Sequence, residues 1–200
     1  MRTSHLLLTF MFCWFTSLAF AQIDTEANLQ AINQKRQKIN RIGMITLGSW
    51  AIGNIATAGF SISNAEGSRK HFHQMNLGWG AVNLALAGFG YYSALTEPQL
   101  LSLNETVDKH YQIQKILLLN SGLDLAYMAS GLYLRERAKN DANRQDMFEG
   151  FGNSLILQGG FLFVFDVTLY LIHRTNNPKV QQLLENVQLS YNQIGFVYQF

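Results

Sequence analysis

Cysteine is nearly absent from this 200-residue chain, and the single one, Cys13, lies in an apolar leader. Disulfides, zinc-thiolate sites and a cysteine nucleophile are excluded together once that leader is removed. No small residue precedes Cys13 and Trp14 follows it, so a lipoprotein acceptor is not expected. A large excess of either charge is also missing. The net +2 is small and the basic residues are scattered, which argues against a nucleic-acid partner. There is no P-loop, no HEXXH, no nucleophile elbow and no GxGxxG between a strand and a helix, so neither catalysis nor a cofactor is expected.

What the chain does have is long runs without charge. Met1 to Ala21 carries Arg2, an apolar core from Leu6 to Leu18 and Ala19-Phe20-Ala21, the pattern of a cleavable signal peptide over residues 1–21. Residues 22–41 are polar, acidic early and basic late (Lys35, Arg36, Lys38, Arg41), as a polar or amphipathic helix near a membrane surface would be. Uncharged or nearly uncharged runs follow at roughly 43–62, 74–95, 115–134 and 150–172. Each reaches the ~20 residues that cross a hydrocarbon layer. The segment from Pro98 to Lys115 reads as an amphipathic lead-in, with Thr96-Glu97-Pro98 as its start. Residues 175–200 read as a short helix followed by a β-hairpin, because VQLSYNQIGFVYQF alternates around Asn192-Gln193.

The runs are related. MNLGWGAVNLALAGFG, beginning at Met75, returns 72 positions later as MFEGFGNSLILQGGF, pairing Gly78 with Gly150, Gly80 with Gly152, Gly88 with Gly160 and Phe89 with Phe161. Gly59 pairs with Gly131 in the preceding runs. The expected architecture is therefore an all-α membrane protein of four transmembrane helices, built as two tandem helix pairs over 42–96 and 97–174. Small residues recur at Ser49, Gly53 and Thr57, and at Gly78, Gly80, Ala81, Ala85 and Gly88, where neighbouring helices are expected to pack closely.

Two carboxylates interrupt the apolar runs. Asp124 lies in the third and Asp166 in the fourth. A charge at that depth costs about 2.5–3.5 kcal/mol on insertion scales and normally faces the bundle interior. At about 1.5 Å per residue the two sit roughly 13 and 9 Å inside the same boundary, close enough in depth to meet. Asn120 and Tyr127 share a helical face with Asp124, and Gln158 shares one with Asp166. These five residues are the candidate ion or small-ligand site; the alternative is a hydrogen-bonded cluster that only fixes helix registry. His71 and His73 are two apart and diverge on a helix, so no metal site is expected.

A leader places the mature N-terminus outside the cytoplasm, and four spans return the C-terminus there. The connectors 63–73 and 135–149 hold Arg69, Lys70, Arg135, Arg137, Lys139 and Arg144, against Lys109 alone in 97–114, in keeping with the positive-inside tendency. The cluster at 35–41 runs against it. The HQMNLGWGAVNLALAGFGYY run, the repeat and the leader together resemble small four-span membrane proteins of Gram-negative bacteria grouped as a family of unknown function, over roughly residues 30–175. That resemblance implies a multi-pass inner-membrane bundle with periplasmic termini and supplies no activity. The expected role is structural or interactive in the bacterial envelope, with the lipid bilayer, an envelope protein or further copies as partners. The alternative is a small transporter or ion-binding protein using Asp124 and Asp166.

Overall fold

A computed structural model of the chain describes the backbone of residues 2–192 and the side chains of residues 26–185. The described residues are helical and contain no strand. The helices are α1 (Arg2–Ser61), α2 (Gly67–Thr96), α3 (Leu103–Ala138), α4 (Gln145–Arg174) and α5 (Asn177–Asn192), with a short 3-10 turn at Ile62–Asn64. The leader, the polar helix and the first apolar run were expected as separate pieces, yet α1 passes through all three without a break. The region 22–41 holds neither Pro nor Gly, so nothing interrupts the hydrogen-bond ladder there. The leader at 1–21 lies outside the residues with described side chains.

The chain divides into two compact units. One comprises residues 36–97 and 109–175 and takes in both helix pairs. Within it α2 packs on α4. Gly150 lies against Ser68 and Phe72, and Ser154 bonds Asn76, so the two helices run in the same direction. The segment of α1 is antiparallel to both: Ala51 and Ile55 meet Gly80, while Gly43 meets Leu169. The segment of α3 is antiparallel to α4, through Gly131 against Gly152 and Met128 against Gly159. A Cβ on Gly152 would lie 2.7 Å from the Gly131 carbonyl oxygen, so glycine is required at this crossing. Gly67, at φ 58°, opens α2 in the left-handed region that favours glycine.

Of the expected packing positions, Gly80 alone meets a neighbouring helix at close range. Gly53, Gly78 and Gly88 face open space, and Ser49, Ala81 and Ala85 are exposed. The inward face of α1 is instead Gly43, Leu47, Ala51 and Ala58, and that of α2 is Asn76, Gly80, Asn83, Ala87 and Ala94. Ser49 and Gly53 each sit two residues from Ala51, which is roughly 200° around a helix of 3.6 residues per turn. The expected stripe was real as spacing and pointed the wrong way.

The interior of this unit mixes apolar clusters, Ile39 with Leu117 and Leu169 and Leu47 with Ala87 and Leu162, with polar side chains. Its buried positions include Asn76, Asn83, Gln114, Ser121, Asp124, Ser154, Gln158 and Asp166. Large apolar side chains cover the outside: Phe60 on α1, Phe89 on α2, Leu119 on α3 and Val164 on α4 are all more than 60% exposed. One helical stretch among the described residues, Gln145–Glu185, is long and apolar enough to cross a membrane.

The second unit comprises residues 1–35, 98–108 and 176–200. Leu29, Ile32, Val180 and Leu183 are buried there, and Asn33 Nδ2 donates to Thr106 Oγ1 at 2.8 Å. The helix start expected at Thr96-Glu97-Pro98 lies later, because Ser102 and Glu105 form a capping box ahead of Leu103. Ser102 N and Oγ donate to Glu105 Oε2, and Glu105 N donates back to Ser102 Oγ. The expected hairpin is displaced too. Val180, Leu183, Val187 and Tyr191 keep helical spacing, and α5 continues to Asn192; residues 193–200 lie outside the described residues.

Candidate functional site

Asp124 on α3 and Asp166 on α4 converge inside the unit formed by residues 36–97 and 109–175, close enough for their carboxyls to hydrogen-bond each other. Such a bond requires a proton on one of the two, because two carboxylates side by side repel. The approach depends on Gly159, which lies against the Asp124 carbonyl and the Met128 backbone and lets α3 and α4 come together there.

The pair borders a cavity of about 420 Å³. That is within the range of small-molecule sites, about 300–1,000 Å³. Asn120 and Tyr127 line it, joined by Trp79, whose ring meets Tyr127 edge-on at 4.9 Å. Asn40 and Asn83 add amides elsewhere in the lining. Asp124 Oδ2, Asn83 Nδ2 and Asn40 Oδ1 are buried with no hydrogen-bond donor or acceptor to complete them. Buried polar groups normally have a partner, and each one left without costs about 1–3 kcal/mol. All three residues line this cavity.

Gln158, expected beside the aspartates, is elsewhere. It accepts from Trp50 Nε1 at 2.9 Å and donates to Asn54 Oδ1 at 2.8 Å and Asn76 Oδ1 at 2.6 Å, while Ser154 Oγ donates to Asn76 at 2.9 Å. This network ties α1, α2 and α4. Gln158 lies eight residues from Asp166, about 12 Å along the helix, so a shared face does not bring them together. Trp50 also stacks on Phe161 at 3.9 Å.

Near the opposite end of the cavity Glu97 forms an ion pair with Arg36 at 3.0 Å and another with Lys109. Burial acts to raise the Glu97 pKa, but the Lys109 hydrogen bond and the Arg36 charge outweigh it and hold the carboxyl below its usual value. Arg36 is 3% exposed, which sequence reasoning missed by assigning the 35–41 cluster to a surface. His110 and His173 are fully buried, and His173, just past the fourth apolar run, has neither ring nitrogen bonded. Burial, with His110 and Arg36 nearby, lowers its pKa to about 4. The signal that would have found His110 is the spacing of His110, Gln114, Leu117, Ser121 and Asp124, one helical stripe. His71 bonds Gln74 on its own helix. Among the described residues no group of three or more His, Cys, Asp or Glu is arranged to hold a metal.

A family model matches residues 46–167, from the last turns of α1 through most of α4 and including both aspartates. The chain belongs to the family of unknown function DUF6992. Comparisons with curated proteins and with solved structures give no match. In this DUF6992 member the matched stretch holds the Gln158 network and the acidic pair, while Arg36 and His173 fall beyond it.

Proposed function

We propose that the chain is a multi-pass protein of the bacterial inner membrane, with both termini on the periplasmic side, whose four-helix unit binds an ion or small ligand at Asp124 and Asp166. The observation that supports this reading is the outer surface: large apolar side chains are exposed on all four helices, while Asn83, Gln114, Asp124, Gln158 and Asp166 are buried among apolar neighbours. In water that arrangement exposes apolar area and buries polar groups at a cost; in a bilayer it is the favoured one. The cavity beside the acidic pair favours binding over a purely packed interior. The tandem helix-pair reading is supported by Gly80 and Gly152, which occupy matching repeat positions and each receive the preceding helix at close range. The reading includes no catalytic step.

A structural or interaction role in the envelope is the second reading. It is favoured by the outward small-residue positions Ser49, Gly53, Gly78, Ala81, Ala85 and Gly88, a surface on which another helix, from a further copy or an envelope partner, could approach closely. Topology reporters test the common ground. Fusions of alkaline phosphatase after residue 65 and after residue 141 should be inactive, and fusions after residue 100 active. Activity at all three positions, or a chain recovered entirely in the soluble fraction, would refute the four-span arrangement. Asp124→Asn and Asp166→Asn then separate the readings, since a structural role tolerates both and a binding role does not.

A further inference from the structure

We infer that the cavity takes a single-chain anionic amphiphile, a fatty acid or an anionic lysophospholipid, with its head at Lys109 and Arg36 and its chain running inward toward the acidic pair. This goes beyond the ion site at Asp124 and Asp166 and depends on the membrane placement proposed above. The first ground is shape. Trp79 meets Tyr127 on the antiparallel α3, and Asn83 and Asp124 each lie about one turn nearer the Glu97 end, so the acidic pair sits deep in the cavity. Counted along α2, the lining extends from Trp79 to Glu97, roughly 27 Å. A volume of about 420 Å³ over that length leaves a mean cross-section of roughly 16 Å², a slot for one extended chain and too narrow for a ring system.

The second ground is the wall. Between the acidic pair and Glu97 it is chiefly hydrocarbon, from Met44, Leu47, Leu86, Ile113, Leu117 and Leu169. Leu86 on α2 and Ile116 on α3 also reach the outer surface, 57% and 44% exposed. The slot therefore opens sideways onto the apolar exterior, where a chain enters from lipid.

The third ground is charge at one end only. Arg36, Glu97 and Lys109 lie just beyond the apolar runs at 43–62, 74–95 and 115–134, at the depth of lipid headgroups. Arg36 and Lys109 share the one carboxylate of Glu97, which leaves a positive charge in excess on that rim. The Lys109 side chain is 39% exposed and has N–H donors beyond the one given to Glu97. Basic pockets between membrane helices attract anionic headgroups. A carboxylate or phosphate head offsets the excess charge, and its chain then points inward, as lipid chains do in the adjoining leaflet. A neutral head leaves that charge uncompensated and a cationic one is repelled.

The test uses the full chain in phosphatidylcholine nanodiscs with tritiated palmitate, empty nanodiscs measuring simple partitioning. Saturable binding near one per chain is expected, weakened at least tenfold by Lys109→Glu and retained by Lys109→Arg. Ile116→Trp, at a half-exposed position of the lining, should block the slot and weaken binding as much. Competition with wild-type protein keeps the test decisive even if a variant folds poorly: unlabelled palmitate or lysophosphatidylglycerol should compete, hexadecanol and hexadecyltrimethylammonium should not. Either anionic competitor supports the proposal, and the stronger of the two identifies the source of the chain. Equal competition by hexadecanol overturns the charged head. Loss of binding with Asp124→Asn but not with Lys109→Glu overturns the orientation. Absence of saturable binding by incorporated chain overturns this inference alone, whereas failure of the chain to enter nanodiscs overturns the membrane placement and this inference together.

Discussion

Asp124 and Asp166 meet carboxyl to carboxyl across the α3–α4 contact, at a point where Gly159 gives α3 the room to approach. Arg36 and Lys109 are committed to Glu97. The acidic pair and the ion-paired end of the cavity are thus two separate electrostatic centres along one space.

The glycines divide into those that set helix separation and those that do not. Gly152→Ala places a methyl 2.7 Å from the Gly131 carbonyl oxygen and should destabilise the unit by about 1–3 kcal/mol, the usual cost of overpacking. Gly160→Ala, with nothing within 4 Å, should be neutral or slightly stabilising because alanine favours helix. Thermal unfolding in detergent, with the pair compared side by side, checks this; equal effects would refute the assigned contact.

Gln158→Leu removes the residue that joins Trp50, Asn54 and Asn76. Three partners lose a bond while Asn76 keeps Ser154. A loss of about 1–3 kcal/mol is expected from the orphaned groups. Ser154→Ala removes only one bond from the same cluster and should cost less. Denaturation of the two variants in the same detergent gives the order.

Acid should destabilise the fold in two windows. His173 is neutral and buried in the folded chain with a pKa near 4, against an ordinary 6.5, so the unfolded state binds the extra proton first. Stability therefore falls as pH drops from about 6.5 to about 4 and then levels for this group. Glu97 has a lowered folded pKa, so its contribution is present above its ordinary value of 4.5 and is lost as pH falls through the folded one. His173→Phe should flatten the upper window and Glu97→Gln the lower. Unfolding midpoints measured from pH 7.5 to 3 would show each slope; unchanged slopes in both variants would contradict the burial and ion pairing on which the signs depend.

The helices and the acidic pair were legible in the sequence, and the faces were not. Depth along a helix follows from counting residues, which is why Asp124 and Asp166 can be matched in depth from the sequence. Rotation about the axis depends on which stripe wins the interior. Small residues at Ser49, Gly53, Ala81 and Ala85 competed with the amide-bearing face of Asn76 and Asn83, and the amides took it because they have partners on α4 or border the cavity. Gln158 was misplaced because a shared helical face says nothing about a separation of two turns. Arg36 looked like one member of a surface cluster, and only its pairing with Glu97, 61 residues away, accounts for its burial.

In the proposed membrane bundle the exposed apolar side chains face lipid and the buried polar ones are shielded from it. With Cys13 replaced by Ala, the chain has no other cysteine, so nitroxides can be placed singly at Phe89, Leu119 and Val164 outside and at Asn83 inside. Power-saturation electron paramagnetic resonance in phosphatidylcholine vesicles then compares access of oxygen, which concentrates in lipid, with that of a water-soluble nickel complex. High oxygen and low nickel access is expected at the three outer positions, and low oxygen access at Asn83. High nickel access at Phe89, Leu119 and Val164 would refute the lipid-facing surface.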